Sequence, residues 1–178
     1  MQHSQALYLF NEGRNIQAYR LLGAHVGNRG TVFRVWAPNA GRVSVIGDFN
    51  GWHGEVHALL PLGESGVWEA TVPDAVPGSL YRFEITNRHT GDKLIKGDPY
   101  ARGFEHRPGS AAYVVPPSAH AWGDADWLQR RAAWDWQQAP VNIYEVHAGS
   151  WMRHPDGTPY LWRELADRLI PYAVQQGY

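Results

Sequence analysis

The stretch that most constrains the fold is residues 31–52, TVFRVWAPNAGRVSVIGDFNGW, because its residue order specifies two strands and a tight loop. Thr31–Ala37 and Val43–Ile46 are rich in β-branched and aromatic residues, which favour strands. The intervening residues, PNAG, have the composition of a turn, so we expect the two strands to pair as a hairpin. Two glycines and two Asx residues then follow in GDFNG, which predicts that Trp52 lies on a loop.

Further strands are predicted downstream. Val67–Val72 and Leu80–Thr86 alternate with the period of two that strands have, and the second alternation puts Arg82 on an outward face. Lys93–Lys96 is short and typical of a sheet edge, and Ala111–Val115 ends before a Pro-Pro pair. Six or seven short strands separated by turns predict a mainly β fold, an immunoglobulin-like antiparallel β-sandwich.

Composition changes along the chain predict four segments. Residues 5–11 and 16–22 have apolar spacing compatible with short helical turns. Residues 116–140 carry prolines and tryptophans without a sustained period, as a linker does. The predicted organisation is a helical lead-in (1–24), a β-sandwich (25–116), a linker (117–140) and a last segment (141–178).

The last segment has the pattern of one strand followed by one helix. Val141–Val146 is a nearly continuous apolar run, as in strands buried on both faces of a parallel sheet. Pro159–Gln176 has helical apolar spacing, with Thr158 placed to start the helix and Gly177 to end it. We therefore expect one βα unit here.

Composition narrows the class of partner. The 178 residues hold 17 acidic and 16 basic side chains, so no strong field favours nucleic acid or an anionic membrane. There is no cysteine for disulfides or thiolate chemistry, and no run approaches the ~20 apolar residues of a membrane span. We expect a soluble cytoplasmic protein with a neutral ligand. Aromatic residues make up 13% of the chain, and they have two interpretations: rings that stack on sugars, or rings that fill a small β core.

Several separated motifs resemble the front end of the glycogen branching enzymes. APNAGRVSVIGDFNGW (37–52) is similar to the signature of the family 48 carbohydrate-binding modules, which precede the catalytic barrel in starch- and glycogen-acting enzymes. The resemblance extends to NEGRNIQAYRLLGAH (11–25) and DPYARGFEHRPGSAAYV (98–114). VNIYEVHAGSW (141–151) and LWRELADRLIPYAVQQGY (161–178) resemble the start of a glycoside hydrolase family 13 barrel. Because a (β/α)8 barrel needs about 250 residues, the resemblance implies that the βα unit of residues 141–178 is the first unit of a truncated barrel.

The resemblance implies an enzyme that cleaves α-1,4-glucan and transfers the segment to a 6-hydroxyl by retaining double displacement, without a cofactor. Its three catalytic carboxylates belong to later barrel strands, beyond Tyr178. None of the chain's own carboxylates matches them by motif, so we assign no catalytic residue and expect the chain alone to be inactive. The implied partners are an α-glucan polymer and the missing barrel in cis.

The resemblance also implies a sugar-binding surface on the sandwich. Trp52 matches a stacking tryptophan of the family, and Arg82 stands where the family has a basic residue. The family's second tryptophan falls near position 95, where this chain has Ile95. Trp52 has two interpretations, sugar stacking or packing against Phe49 or the barrel. Because Ile95 lacks the second aromatic ring, we expect this chain to bind glucan more weakly than family members that have both tryptophans.

The histidines give no metal site by pattern. His53 and His57 are four residues apart, but the intervening glutamate is misplaced for a zinc protease, and we expect no metal. His147 follows the predicted barrel strand, where we expect a structural hydrogen bond.

Two alternatives remain open at the level of sequence. One is a debranching or trehalose-releasing hydrolase of the same superfamily, which shares the sandwich and barrel. The other is a noncatalytic glucan-binding module, against which the residues after position 140 argue, because a pure binding module has no use for them.

Overall fold

The computed structural model describes residues 2–178, which divide into two units. The first unit ends at Ala119 and contains all eight strands of the described residues, and the second is His120–Tyr178. Among residues 2–178, no helix is both long enough and apolar enough to cross a bilayer.

Two antiparallel sheets form the first unit. In chain order the strands are β1 (Gly23–Gly27), β2 (Gly30–Trp36), β3 (Ala40–Gly47), β4 (Leu60–Pro61), β5 (Val67–Val72), β6 (Leu80–Asn87), β7 (Lys93–Lys96) and β8 (Ala112–Tyr113). The first sheet has the order β1-β2-β5-β4. The second has the order β3-β6-β7, with β8 also paired to β6. This arrangement confirms the predicted mainly β sandwich.

The strands β2 and β3 do not pair with each other, so the hairpin predicted within residues 31–46 is wrong. β2 lies between β1 and β5 in the first sheet, whereas β3 pairs with β6 in the second. Between them the Ala37 N–H donates to the Gly66 carbonyl at 2.8 Å, and the Ala40 N–H donates to the Ala37 carbonyl at 3.1 Å. The turn therefore carries the chain from one sheet to the other. Which strands pair is decided by burial against the opposite sheet, and a local turn pattern does not contain that information.

The core lies between the two sheets. Phe33 of β2 meets Tyr81 of β6 with ring centroids 4.9 Å apart at 65°, and Phe83 lies 6.0 Å from Tyr81. All three rings are at most 1% exposed, as is Val45 of β3. Burying one such side chain contributes about 1.5–3 kcal/mol. Because Tyr81 and Phe83 point inward, Arg82 between them lies on the outward face, as its alternation predicted.

A second apolar cluster covers the outer face of the first sheet. Its buried members are Leu21, Leu22 and Val67, and Leu7 and Phe10 of helix α1 (Gln2–Asn11) pack against it. A 3-10 helix, Ala18–Arg20, follows α1. The lead-in is thus helical in two short pieces, and the first one covers apolar surface that the sheet alone leaves open to water.

The second unit contains two helices, α2 (Ala125–Ala133) and α3 (Trp162–Gln175). The predicted start at Thr158 is wrong, because α3 begins after Leu161. The Leu161 N–H donates to the Glu164 Oε2 at 2.8 Å, and this bond lowers the pKa of Glu164. Gly177 has φ of +83° just past the helix, where a glycine end was predicted.

Residues 141–146 form no strand, so this part of the sequence prediction is not borne out by the structure. Tyr144 instead packs against Tyr172 of α3, with centroids 5.8 Å apart, and accepts a hydrogen bond of 2.8 Å from the Trp151 indole. A strand of a parallel sheet is held by bonds to its neighbours, and no strand is formed within residues 120–178. Only the helical half of the expected βα unit is present.

Residues 141–146 should therefore exchange their amide hydrogens rapidly. Among the described residues, no backbone hydrogen bond involves their N–H groups, and unbonded amides lack protection. Hydrogen exchange followed by mass spectrometry should find peptides from this stretch deuterated long before those of β2 and β6. Protection equal to that of β6 would contradict the observed backbone.

Candidate carbohydrate-binding surface

A tightly bonded loop after β3 presents Trp52. The 3-10 helix Asp48–Asn50 opens the loop, and the Asn50 side chain closes it on both sides. Its Oδ1 accepts from the Gly47 N–H at 2.9 Å, and its Nδ2 donates to the Val45 carbonyl at 2.9 Å. The Trp52 N–H then donates to the Gly47 carbonyl at 3.0 Å. These bonds fix the backbone of Trp52 to the end of β3, so the loop that was predicted is also rigidly anchored.

The backbone of Trp52 is in the left-handed region, with φ of +65°. Within residues 2–178 it is the only residue other than glycine with positive φ. This conformation costs a residue with a Cβ roughly 1–2 kcal/mol, and such strain recurs at ligand-binding positions because the surrounding structure maintains it. The side chain remains 39% exposed.

The register of the second sheet puts Arg82 and Ile95 on its outer face. Arg82 pairs with Ile46 of β3, and Glu84 pairs with Ile95 of β7. Cross-strand partners share a face, and alternate residues of β6 share it too. Gly47, which holds Trp52, pairs with Tyr81, the residue before Arg82. Arg82 and Ile95 therefore share the outer face of this sheet, and the loop that carries Trp52 begins at the end of β3, next to Arg82.

Arg82 is held in place with one donor group unused. Its Nη2 donates to the Ser110 Oγ at 2.6 Å. Its Nε is buried and has no acceptor among the described residues. A guanidinium carries five N–H donors in a fixed plane, so the anchored end orients the remaining ones.

Glu84 is a member of this surface that the sequence analysis assigned no role. It lies between Arg82 and Ile95 in the outward rows, and its Oε1 is 3.6 Å from the Lys93 ammonium. A Cβ added at Gly54 would lie 2.3 Å from the same Oε1, so the Trp52 loop approaches Glu84 closely. The sequence could have indicated this, because Glu84 follows Arg82 by two residues and therefore lies on the same face of β6.

Phe49 does not pack on Trp52. Its ring lies 5.8 Å from Phe33 of the core and 5.6 Å from His57, and the described residues contain no ring contact between Phe49 and Trp52. Phe49 therefore attaches the loop to the core while Trp52 stays at the surface. This arrangement favours the stacking interpretation of Trp52 over packing on Phe49.

The histidines make structural contacts. The His57 Nδ1 lies 3.0 Å from the Asn50 Nδ2, and the His147 Nδ1 lies 2.7 Å from the Ser150 Oγ. In the part of the chain that the structure describes, no three histidines or carboxylates are placed to hold a metal ion.

A buried polar pair lies beneath the surface. The Tyr81 hydroxyl donates to the Asp98 Oδ2 at 2.6 Å, and the Tyr100 N–H donates to the Asp98 Oδ1 at 2.8 Å. Burial raises the pKa of Asp98 against the opposing effect of these two bonds, and burial also raises the pKa of Tyr81. Burial lowers the pKa of the nearby His25, whose Nε2 lies 2.9 Å from the Leu22 carbonyl.

The first unit is thus an antiparallel sandwich with an anchored, exposed tryptophan and an outward-facing arginine. Residues 21–101 match carbohydrate-binding module 48, the isoamylase N-terminal domain. This match confirms the resemblance drawn from residues 37–52.

Over its whole length, the chain is similar to bacterial branching enzymes. It is 82% identical over 178 residues to the 1,4-alpha-glucan branching enzyme GlgB of Dechloromonas aromatica, covering 100% of this chain and 29% of that protein. It is 56% identical over 176 residues to that of Nitrosomonas eutropha, covering 97% of this chain and 24% of that protein. The chain thus spans 24–29% of the length of these relatives. Among solved structures, pullulanase type I from Bacillus subtilis with maltose aligns over 57% of this chain and 14% of that one, at 31% identity and a TM-score of 0.48.

The buried Asp98 should make the stability of the first unit fall as pH rises. Because its pKa is higher in the native state than the ordinary 3.8, the native state binds more protons across the window above that value. The free energy of unfolding therefore decreases with rising pH in that window. Urea titrations from about pH 4 to about pH 7 should show the chain losing stability relative to Asp98→Asn.

His25 supplies the control of opposite sign. Its lowered pKa means that the native state binds fewer protons just below the ordinary 6.5. Relative to His25→Gln, the chain should gain stability as pH rises through that window. The stability difference between the unmodified chain and the variant should therefore change with pH in opposite directions for Asp98→Asn and His25→Gln. A change in the same direction for both would contradict the assigned pKa directions.

Proposed function

We propose that the chain is the front part of a 1,4-α-glucan branching enzyme and that its sandwich binds the glucan. The observation that carries the proposal is the match to branching enzymes over every residue of the chain, at up to 82% identity. The curated relatives reported above are branching enzymes, which favours branching over debranching or trehalose release. The match to a carbohydrate-binding module supports an α-glucan polymer as the partner.

The chemistry of branching takes place on the part of the enzyme that this chain does not include. There an aspartate carboxylate displaces the α-1,4 bond and carries the glucosyl group, while a glutamic acid protonates the leaving oxygen. A 6-hydroxyl of another glucan chain then gives its proton to the now ionised glutamate and attacks the anomeric carbon, and the aspartate carboxylate leaves. The product is an α-1,6 branch. The role of this chain in that sequence is to hold the polymer.

Trp52, Arg82 and Ile95 are proposed to form the sugar-binding surface, with Glu84 beside them. Flat aromatic rings stack on the C–H faces of sugars, and the open Trp52 ring offers such a face. The fixed guanidinium of Arg82 supplies donors for sugar hydroxyls. At Ile95 an aliphatic side chain that is 57% exposed replaces a second ring. The surface therefore provides one aromatic platform.

Branching by the complete enzyme should be visible with iodine-stained amylose. We expect its absorbance to fall without new reducing ends, because each broken α-1,4 bond is replaced by an α-1,6 bond. The 178-residue chain alone should leave the absorbance unchanged. New reducing ends in proportion to the loss of absorbance would assign hydrolysis instead.

Glucan binding should depend on the number of aromatic platforms. Trp52→Ala should raise the Kd for β-cyclodextrin roughly fivefold, since one stacked ring contributes on the order of 1 kcal/mol. Ile95→Trp should lower it by a similar factor. Isothermal titration calorimetry of the 178-residue chain measures both.

Two further variants control this experiment. Leu94→Trp adds the same ring one residue away, on the opposite face of β7, and should not change the Kd. Trp52→Gly removes the ring without its left-handed backbone cost and should be about 1 kcal/mol more stable than Trp52→Ala. Unchanged affinity in both Trp52 variants would remove this residue from the surface.

A further inference from the structure

A groove of about 750 Å³ lies where the chain leaves β2, apart from the Trp52 surface. Trp36 and Trp68 supply its aromatic lining, helix α1 contributes Phe10 and Asn11, and the turn between β4 and β5 contributes Glu64. Arg88, just after β6, also lines it. Its size is within the range of small-molecule sites, about 300–1,000 Å³.

The Trp36 side chain lines this groove and is exposed there. Its ring centroid lies 6.2 Å from that of Phe10 at an interplanar angle of 75°, so the two rings meet edge to face and are not stacked in parallel. The side chain is 52% exposed although the rest of β2 is largely buried. Gly66 adjoins it with φ of +75°, and an added Cβ there would lie 3.0 Å from the Trp36 Nε1. The glycine therefore keeps the indole edge accessible.

The polar groups of the groove are held by the backbone around them. The Arg88 Nη2 donates to the Ala40 carbonyl at 3.2 Å, which leaves other N–H groups of the guanidinium directed away from this bond. The turn that carries Glu64 is closed by the Ser65 Oγ, which donates to the Leu62 carbonyl at 2.7 Å and accepts from the Val67 N–H at 3.1 Å. Neither Arg88 nor Glu64 forms an ion pair among the described residues.

These features define the chemistry of a ligand. An aromatic face with one carboxylate and one guanidinium has no net charge, so it does not select an ion. It suits a neutral molecule that has both an apolar C–H face and many hydroxyl groups, which is a sugar ring.

We propose that this groove, which we call the Trp36 groove, is a second binding site for α-glucan, with Trp36 as the stacking platform and Glu64 and Arg88 as hydroxyl partners. The choice of α-glucan among sugars rests on the proposed function. The two sites lie near opposite ends of β3, since Pro38 of the groove precedes this strand and the Trp52 N–H bonds to its last residue. The eight residues of β3 that lie between them span about 23 Å.

Two sites near the ends of one strand have a consequence for the binding of polymers. A glucan chain bound at one site holds its neighbouring segment at high effective concentration near the other. Binding of glycogen should therefore be weakened by loss of either site, whereas a short oligosaccharide that fills one site should report each separately.

The test is a maltoheptaose titration of the 178-residue chain followed by the indole N–H resonances of its tryptophans. The Trp36 and Trp52 resonances, identified from Trp36→Leu and Trp52→Ala, should both shift and saturate. Trp52→Ala should leave the Trp36 shift and its Kd unchanged.

Glu64→Ala should raise the Kd at Trp36 severalfold, and Asp74→Ala, which removes an exposed carboxylate away from both sites, should not. Glycogen binding should weaken about tenfold or more in Glu64→Ala.

Each outcome decides between the two proposals. A Trp52 shift without a Trp36 shift overturns the Trp36 groove and leaves the Trp52 surface standing, and a Trp36 shift alone does the reverse. A Trp36 shift that disappears in Trp52→Ala also overturns the groove. If Trp36→Leu perturbs the fold, the Glu64→Ala and Asp74→Ala pair still decides, because both residues are exposed on turns.

Discussion

The contact between Phe33 and Tyr81 is the interaction on which the rest of the first unit depends. These rings come from different sheets and meet edge to face across the sandwich, which joins β2 to β6 although the two strands share no backbone hydrogen bond. Edge-to-face pairs contribute about 0.5–1.5 kcal/mol beyond the burial of their area. Phe49 extends the same cluster to the loop that holds Trp52. The position of the sugar-binding candidate is thus set by the core.

The strand β6 shows how core and surface are coupled. Tyr81 and Phe83 face the first sheet, and the alternation of the strand then requires Arg82 and Glu84 to face outward. A shift of one residue in register would bury the guanidinium and expose the aromatic rings. Burial of the two aromatic rings therefore sets the register of β6, and the register in turn places Arg82 and Glu84 on the outer face. The contacts of these polar groups with water would not set the register by themselves.

The sequence predicted the features that depend on local periodicity. Alternation in β5 and β6 and the apolar spacing of α3 have short-range causes, so those elements were found close to their observed limits. The partner of β2 was missed, because Phe33 selects its sheet through contacts with residues about fifty positions away. Residues 141–146 have the composition of a buried strand, but composition cannot supply the neighbouring strand that would hold it.

The residues of the two candidate sites also differ in whether the sequence could predict them. Trp52, Arg82 and Ile95 came from family motifs, and register then brought Glu84 into the set. The left-handed backbone at Trp52 had no signal beyond the adjacent glycine. The Trp36 groove was out of reach of sequence patterns, because its lining comes from α1, β2, the β4–β5 turn and the end of β6, which are far apart in the chain.

The strand β7 has a further consequence for the behaviour of this protein in solution. It pairs only with β6, so its other edge presents unpaired N–H and C=O groups beside the exposed side chains of Leu94 and Ile95. Such an edge is a template on which strands of other molecules can add. Lys93 and Lys96 stand at its two ends, and their like charges repel a second copy that approaches in register. The open edge of β7 can therefore persist at high protein concentration without seeding fibrils.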